Sequence, residues 1–306
     1  MIVVKFVTYA HNGAEKVGIL HHTEEYLIHM SDVIKSIDPA ESLPETMQAC
    51  IELGDRFVDQ CRQALKWIDD QQDEGQKYLL PVQDVRLLAP IPRPAKNIFC
   101  VGRNYSAHAR EMGASGDLPQ YPMVFSKVPT TVIGPEETIL NHQDVTNSLD
   151  YEGELAVVIG KQAQGVREEE AMDYVFGYTI INDVTARDLV KRYKHYLLGK
   201  SLDTSCPMGP CLVHRSAIPD PGNLKIETKV NGEIRQSART DQFIFSIPEI
   251  IATINQGTTL EPGDIISTGT PAGVGNGFQP PKFLKPGDVI EIEIEGIGLL
   301  KNQVEK

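Results

Sequence analysis

The chain has 306 residues, of which 41% are hydrophobic, and it is long enough for one large domain or for a small and a larger one. Its 29 basic and 42 acidic residues give a formal net charge of -13, which disfavours nucleic acid and anionic membranes as partners. No apolar run approaches the length of a membrane span, and the first residues do not resemble a secretory signal. We therefore expect a cytoplasmic location, and small anionic ligands remain compatible with the charge because a local cation can invert the potential inside a pocket.

The first 88 residues predict a small α+β unit. Residues 2–10 and 16–21 are expected to form a β-hairpin, and residues 55–72 an amphipathic helix. No cluster of reactive side chains appears there, so we expect a structural or dimerisation element. Prolines at positions 90, 92 and 94 then favour an extended connector. We place the domain boundary at this connector, with a small domain at 1–88 and a larger one at 89–306.

Short β-strands dominate the prediction from residue 96 onward. Segments rich in Val, Ile and Thr are separated by Gly and Pro, and Asn231-Gly232 is typical of a hairpin turn. The clearest helix follows Ser246, a candidate N-cap, and ends near Gly257. Strands do not alternate regularly with long helices, so a doubly wound parallel sheet is disfavoured. The sequence predicts a β-rich α+β fold with a curved, mixed sheet.

Three carboxylates at alternate positions, Asp150, Glu152 and Glu154, share one face of a predicted strand. They either form a solvated face or bind a divalent cation that offsets their repulsion. An all-oxygen set without nearby Cys or His favours Mg²⁺, Mn²⁺ or Ca²⁺. Asp183, which directly follows an apolar strand, is a further candidate ligand, with helix capping as the alternative.

A second candidate site follows the predicted strand that ends at Gly102. His108 and Glu111 are three residues apart and share a face if the segment is helical. A carboxylate beside an imidazole orients it and raises its basicity, as a general base requires; a surface ion pair is the alternative. Arg103 and Arg110 flank the pair and could bind an anionic substrate.

Two further segments are candidates for charge stabilisation. Lys200 lies in a largely uncharged stretch, where it is either solvated or placed to stabilise an oxyanion. The glycine-rich segment Ser267–Gly277 can present backbone N–H groups to an anion. It is neither a phosphate-binding loop followed by lysine nor a dinucleotide fingerprint.

Together these motifs resemble the fumarylacetoacetate hydrolase superfamily over roughly residues 90–300. The motifs that carry the resemblance occur in the family order: GRNYSAHARE, LDYEGELAVVIG, GYTIINDVTARD, GKSLDTSCPMGP and GDIISTGTPAGVG. The N-terminal unit resembles the small extra domain of many bacterial members. The resemblance implies a mixed β-sandwich roll, a homodimer and a site for Mg²⁺ or Mn²⁺, sometimes Ca²⁺.

The resemblance also assigns roles to residues. By motif match, the metal ligands are Glu152, Glu154 and Asp183, the catalytic residues are His108, Glu111 and Lys200, and the substrate-binding residues are Arg103, Tyr105, Gly269 and Thr270. Asp150 need not be a ligand. One position departs from the pattern: some members, including decarboxylating ones, have glutamine where this chain has Val190.

The activity that the resemblance implies is cleavage of a 1,3-diketo acid such as an acylpyruvate. His108 and Glu111 would activate water, and the cation and Lys200 would stabilise the departing enolate. Decarboxylation of oxaloacetate, or a tautomerase-like reaction, would use the same enolate without water attack. The complete His–Glu dyad favours hydrolysis, and a catalytically weak structural or regulatory member is the remaining alternative.

Overall fold

Strands outnumber helices in the computed structural model, which describes residues 3–113 and 118–306 without the side chains of residues 72 and 73. In these ranges the strands are β1 (Lys5–His11), β2 (Ala14–Leu20), β3 (Tyr26–His29), β4 (Leu79–Pro81), β5 (Arg86–Leu87), β6 (Ile98–Gly102), β7 (Met123–Lys127), β8 (Val132–Ile133), β9 (Thr138–Ile139), β10 (Leu149–Asp150), β11 (Gly153–Ile159), β12 (Val175–Asn182), β13 (Thr185–Ala186), β14 (Cys206–His214), β15 (Lys225–Val230), β16 (Glu233–Arg239), β17 (Ile265–Ser267), β18 (Val289–Ile294) and β19 (Gly298–Val304). The α-helices are α1 (Met30–Ile37), α2 (Met47–Glu52), α3 (Asp55–Asp70), α4 (Ser106–Glu111), α5 (Arg187–Tyr193), α6 (Tyr196–Lys200) and α7 (Ile247–Asn255). None of the helices described is long and apolar enough to cross a membrane.

Two large sheets form the framework. The larger has the strand order β4-β3-β2-β1-β14-β12-β11-β17-β6-β7, with β5 paired to β1 and β8 to β14. The smaller has the order β16-β15-β18-β19-β9, and β10 and β13 form a separate pair. Most pairs are antiparallel, but β17 and β6 run parallel, as do β19 and β9 and also β14 and β8. The mixed, strand-rich α+β fold predicted from the sequence is confirmed.

The larger sheet is buried on both faces. One face shares an apolar core with the smaller sheet, to which Val157, Ile180 and Ile292 contribute. The other face packs against the N-terminal helices in a second core. There the Phe57 ring of α3 stacks 5.0 Å from Phe6 and 6.5 Å from Phe176 in β12. This double burial explains why β11 and β12 read as continuous apolar runs rather than alternating ones.

The N-terminal hairpin and helices form where the sequence predicts them. Strands β1 and β2 pair from Phe6 with Ile19 to His11 with Ala14, and α3 buries one apolar stripe. However, β1 also pairs with β14, at Lys5 with Val213, so the sheet continues across the proposed domain boundary. The boundary between residues 88 and 89 stays a prediction.

The predicted single strand from Ser148 to Gly160 is interrupted. Strand β10 ends at Asp150, and β11 begins at Gly153, where the backbone N–H groups of Glu152 and Gly153 donate to side chains of Asn182 and Gln236 rather than to a strand. The solvated face considered for the three carboxylates is wrong, because Asp150, Glu152 and Glu154 are 0%, 4% and 2% exposed.

Candidate active site

The antiparallel pairing of β11 and β12 brings three carboxylates together. Gly153, the first residue of β11, pairs with Asn182, the last residue of β12. Glu152 and Glu154 lie on either side of Gly153, and Asp183 directly follows Asn182. The backbone N–H of Asp183 donates to the Glu152 carbonyl at 2.8 Å. One oxygen from each of the three carboxylates lies within 4.8 Å of the others. We call Glu152, Glu154 and Asp183 the acidic cluster.

Three buried or nearly buried cations surround the acidic cluster. Lys200 Nζ donates to Glu152 Oε2 and to Asp183 Oδ2, both at 2.6 Å. Lys127 Nζ lies 2.8 Å from Asp183 Oδ1, and an Arg187 guanidinium nitrogen lies 2.6 Å from Glu152 Oε1. These contacts offset the cost of burying three carboxylates together. Lys200 is therefore not the solvated lysine that was one of its two interpretations.

The two glutamates of the acidic cluster differ in their electrostatic surroundings. Burial raises the pKa of Glu152, but Lys200, Arg187 and His108 outweigh burial and lower this pKa to about 2. Burial and the carboxylates of Asp183 and Glu152 raise the pKa of Glu154 to about 8. Glu154 contacts no lysine or arginine of the described chain; its Oε2 accepts hydrogen bonds from Ser267 and from the Gly269 N–H. A carboxyl group with this pKa favours its protonated form near neutral pH, and a bound cation would favour the carboxylate instead.

The residues of the acidic cluster fit a hard divalent metal ion. All three donors are carboxylate oxygens, the set that favours Mg²⁺, Mn²⁺ or Ca²⁺. Asp183 Oδ1 is buried beside Lys127 but has no hydrogen bond of good geometry among the described residues, so it retains acceptor capacity. The cluster thus has the ligand chemistry of a divalent-metal site, as the sequence predicted.

His108 and Glu111 form a buried pair on α4. His108 Nδ1 lies 3.0 Å from Glu111 Oε2, and the two side chains are 5% and 16% exposed. The other carboxylate oxygen, Glu111 Oε1, accepts the Gly273 N–H at 2.9 Å. If Nδ1 carries the proton and donates it to Glu111, Nε2 has a free lone pair. The pair is thus not the surface ion pair considered from the sequence.

The glycine-rich segment Ser267–Gly277 presents its N–H groups to the protein's own carboxylates. The Gly269 N–H donates to Glu154 and the Gly273 N–H to Glu111. The N–H groups of Gly275 and Asn276 donate to the two oxygens of Asp150, whose Oδ2 also accepts from Arg187 Nε at 2.8 Å. The segment is an anion-binding loop, as expected, and in this structure its anions are side chains that it positions.

A cleft of about 230 Å³ opens onto these groups. Its lining includes six residues predicted from the sequence: Arg103, His108, Glu152, Glu154, Lys200 and Thr270. Glu111 and Asp183 do not line the cleft themselves. Glu111 is hydrogen-bonded to His108, and Asp183 to Lys200, and both of these partners do line it. Val190 and Lys191 of α5 also line the cleft.

Two predicted substrate-binding residues lie elsewhere. Tyr105 is 2% exposed, and its ring packs against Phe243 with centroids 4.9 Å apart; it does not line the cleft. Gly269 uses its N–H on Glu154 and has a φ of +105° with Asn104 Cβ 2.8 Å from where a side chain would begin. These positions give no support for substrate contact, because Tyr105 is a core residue and Gly269 holds a carboxylate.

Sequence reasoning missed two of the three cations, Lys127 and Arg187. Lys127 ends the apolar strand β7, and it is fully buried. Arg187 lies inside the segment GYTIINDVTARD, in which Asp183 was the predicted site residue. Each has a weak signal that could have been used: a lysine at the end of an apolar strand, and an arginine four residues after a candidate ligand.

Comparison with known proteins identifies the class to which this fold and site belong. The family described as Fumarylacetoacetate (FAA) hydrolase C-terminal matches residues 97–305, more than half of the chain. The chain therefore belongs to this family.

Its relatives carry names for different reactions. The chain is 53% identical over 281 residues to oxaloacetate tautomerase YisK of Bacillus subtilis, covering 92% of this chain and 93% of that protein. It is 38% identical to the structure of a fumarylacetoacetate hydrolase from Exiguobacterium antarcticum, with a TM-score of 0.80 and 99% of both chains covered. A 2-hydroxyhepta-2,4-diene-1,7-dioate isomerase from Mycobacterium marinum is 30% identical, with a TM-score of 0.71 and coverage of 99% and 98%.

Proposed function

We propose that this protein is a divalent-metal-dependent tautomerase that interconverts the enol and keto forms of oxaloacetate or a closely related 2-oxo dicarboxylate. The observation that carries the proposal is the convergence, on one cleft, of the acidic cluster, Lys200 and the His108–Glu111 pair. The choice of tautomerisation follows the oxaloacetate tautomerase to which the chain is 53% identical.

The acidic cluster would hold a Mg²⁺ or Mn²⁺ ion, which when bound polarises the 2-oxo group and stabilises enolate charge. The chain supplies the proton transfer. His108 Nε2 takes the proton from C3 of the keto form as the C2–C3 double bond forms, and the imidazolium then gives this proton to the C2 oxygen, which returns His108 to its neutral form. Glu111 holds the imidazole in position and stabilises its protonated form. The reverse direction uses the same groups.

Two cations of the cleft suit an anionic substrate. Lys200 is buried among carboxylates and held in its charged form, because Asp183 and Glu152 outweigh the effect of burial and raise its pKa. Its charge favours the negatively charged enolate oxygen over the uncharged keto oxygen. Arg103 lines the cleft and forms no ion pair with any described residue, so its guanidinium is available for the distal carboxylate of the substrate.

Hydrolysis of a 1,3-diketo acid is a second candidate. The buried hydrogen bond between His108 and Glu111 is also the arrangement needed to activate a water molecule, and the fumarylacetoacetate hydrolase structure is 38% identical. Decarboxylation of oxaloacetate would proceed through the same enolate and needs no water. Val190, in the cleft where some members have glutamine, is our candidate determinant of this choice.

The test compares three reactions of the same protein with Mn²⁺, with Mg²⁺ and with EDTA. Enol–keto exchange of oxaloacetate, pyruvate formation from oxaloacetate and cleavage of a simple acylpyruvate are each measured against metal without protein. We expect metal-dependent exchange to be the fastest. Faster acylpyruvate cleavage would replace the proposal with the hydrolase, and exchange no faster than the metal-only rate would refute it.

A matched pair of variants locates the base. We expect His108→Asn to lower the exchange rate about 100-fold or more, the size of a general-base contribution. The control is His195→Asn, at an exposed histidine that does not line the cleft, and its rate should equal that of the unmodified protein. An equal loss in both variants would contradict the assignment of His108.

A further inference from the structure

A second cluster of metal-binding side chains lies in the N-terminal unit, on elements that contribute nothing to the acidic cluster. His21 and His22 lie in the turn between β2 and β3, and Asp69 lies in the last turn of α3. One ligand atom from each of these three lies within 4.8 Å of the others. We propose that His21, His22 and Asp69 form a second metal site, selective for a transition-metal ion such as Zn²⁺.

The two imidazoles converge on one carboxylate oxygen at separations that are compatible with a shared metal ion. His21 Nε2 lies 3.4 Å and His22 Nδ1 lies 3.7 Å from the same oxygen, Asp69 Oδ1. The His21 contact is a long hydrogen bond, and both separations exceed the usual hydrogen-bond length of about 2.9 Å. Ligands roughly 2.0–2.1 Å from a tetrahedral zinc ion lie about 3.4 Å from one another. Small side-chain adjustments would bring all three atoms to that distance.

A neighbouring hydroxyl orients the first histidine. His21 Nδ1 lies 3.2 Å from Thr23 Oγ1, which also accepts the Glu25 N–H. If Nδ1–H donates to this hydroxyl, the lone pair of Nε2 faces Asp69. A hydrogen bond from the second ring nitrogen is the usual way in which proteins fix a metal-binding histidine.

The surroundings also favour a cation. Asp69 lies at the C-terminal end of the 16-residue helix α3, where the helix dipole attracts positive charge. Lys5 lines the adjoining cleft, and its ammonium lies 2.7 Å from Glu24 Oε1, so its charge is offset. The three side chains open onto this cleft, which leaves a coordination position for water or an external ligand.

Donor chemistry separates the two sites. The acidic cluster offers oxygen only and suits hard ions, whereas two imidazoles and one carboxylate suit zinc, nickel or copper. An ion at the second site would join the β2–β3 turn to the end of α3. The expected consequence is a more stable N-terminal unit, independent of catalysis in the cleft.

The test measures Zn²⁺ binding to the full-length protein by calorimetry in excess Mg²⁺, which competes for the acidic cluster and not for imidazole. We expect the unmodified protein to bind one equivalent of Zn²⁺ at this site. His22→Ala and Asp69→Asn should each bind it more than tenfold more weakly. The matched control is Asp70→Asn, at the adjacent exposed aspartate, which should bind Zn²⁺ as the unmodified protein does. Thr23→Ala should weaken binding by about tenfold.

Two results would overturn the second site. One is equal Zn²⁺ affinity and stoichiometry in all of these proteins. The other is loss of all Zn²⁺ binding in Glu152→Gln, which would place the ion in the acidic cluster. Because His22 and Asp69 have side chains 64% and 50% exposed, their replacement should leave the fold intact, and circular dichroism verifies this.

Discussion

The cleft and the N-terminal unit each contain fully buried side chains, but of different chemical kinds. The cleft buries charge: Glu152, Asp183, Lys127 and Lys200 are each at most 4% exposed. The N-terminal unit buries hydrocarbon and aromatic rings, such as Phe57 of α3. Burying hydrocarbon stabilises a fold directly, whereas a buried ion pair often does no better than well-packed apolar residues. Charges gathered at one place therefore indicate chemistry rather than stability.

The largest effect should come from leaving one buried charge without its partner. Lys127→Met removes the ammonium beside Asp183 Oδ1, so the carboxylate stays buried with less compensation. We expect the free energy of unfolding to fall by about 3–5 kcal/mol, measured by urea denaturation in EDTA, and activity to be lost.

The control is an ion pair on the surface. Arg167 contacts Glu170 at 3.0 Å, with both side chains at least half exposed, and exposed pairs contribute little. We therefore expect Arg167→Ala to leave the urea midpoint unchanged. If the two variants lost the same stability, the buried charges of the cleft would not differ from surface ones, and the contrast between the two regions would fail.

Removing hydrocarbon from the N-terminal unit should affect stability alone. Phe57→Ala deletes a ring that packs against both Phe6 and Phe176 and leaves a cavity, with an expected loss of about 3–5 kcal/mol. Because Phe57 contacts no residue of the acidic cluster, the rise in Tm on adding Mn²⁺ should be the same as in the unmodified protein. A smaller rise would show that the two regions are coupled.

The same contrast explains what the sequence could predict. Helix α3 follows from its local spacing of apolar residues, and the N-cap of α7 from Ser246, because both depend on neighbours within a turn or two. The acidic cluster was predicted because Glu152 and Glu154 are two residues apart and Asp183 directly follows an apolar strand, and the family resemblance then assigned all three as metal ligands. Lys127 contacts Asp183 across 56 residues of sequence, and no periodic pattern reports such a contact.

The loop at Ser267–Gly277 illustrates a second limit. Its glycines correctly indicated that backbone N–H groups would bind anions, but glycine spacing does not say which anions. In the structure they are Glu111, Asp150 and Glu154, which are distant in sequence. The predicted substrate contacts of Tyr105 and Gly269 lack support for the same reason: a motif names neighbours of a site without saying which of them face its cavity.

A glycine in this loop should control the position of Glu111 relative to His108. A Cβ at Gly277 would lie 2.1 Å from Glu111 Oε1, so Gly277→Ala should displace Glu111 from His108. A misplacement of about 1 Å can lower a rate roughly 100-fold, and we expect a loss of that order with little change in the urea midpoint. Steady-state kinetics beside denaturation separates the two effects.

The control for this glycine is Gly257, after α7. No atom lies within 4 Å of a Cβ built there, so Gly257→Ala should keep both activity and stability. If Gly277→Ala also left activity and stability unchanged, Glu111 would either adapt to the methyl group or contribute nothing to the rate.

The smallest effect concerns a helix outside both regions. Ser246 caps α7 by accepting the Glu249 N–H at 3.2 Å, and the helix buries Ile250 and Ile251 in the core between the sheets. Ser246→Ala removes this acceptor and should lower the free energy of unfolding by about 1 kcal/mol. Ser246→Thr retains a hydroxyl at the cap and should recover most of the loss. Because the side chain at position 246 does not reach the acidic cluster, the Mn²⁺-dependent rise in Tm should be unchanged in both variants. A smaller rise in Tm would mean that the apolar core, and not only the buried charges, sets the geometry of the cleft.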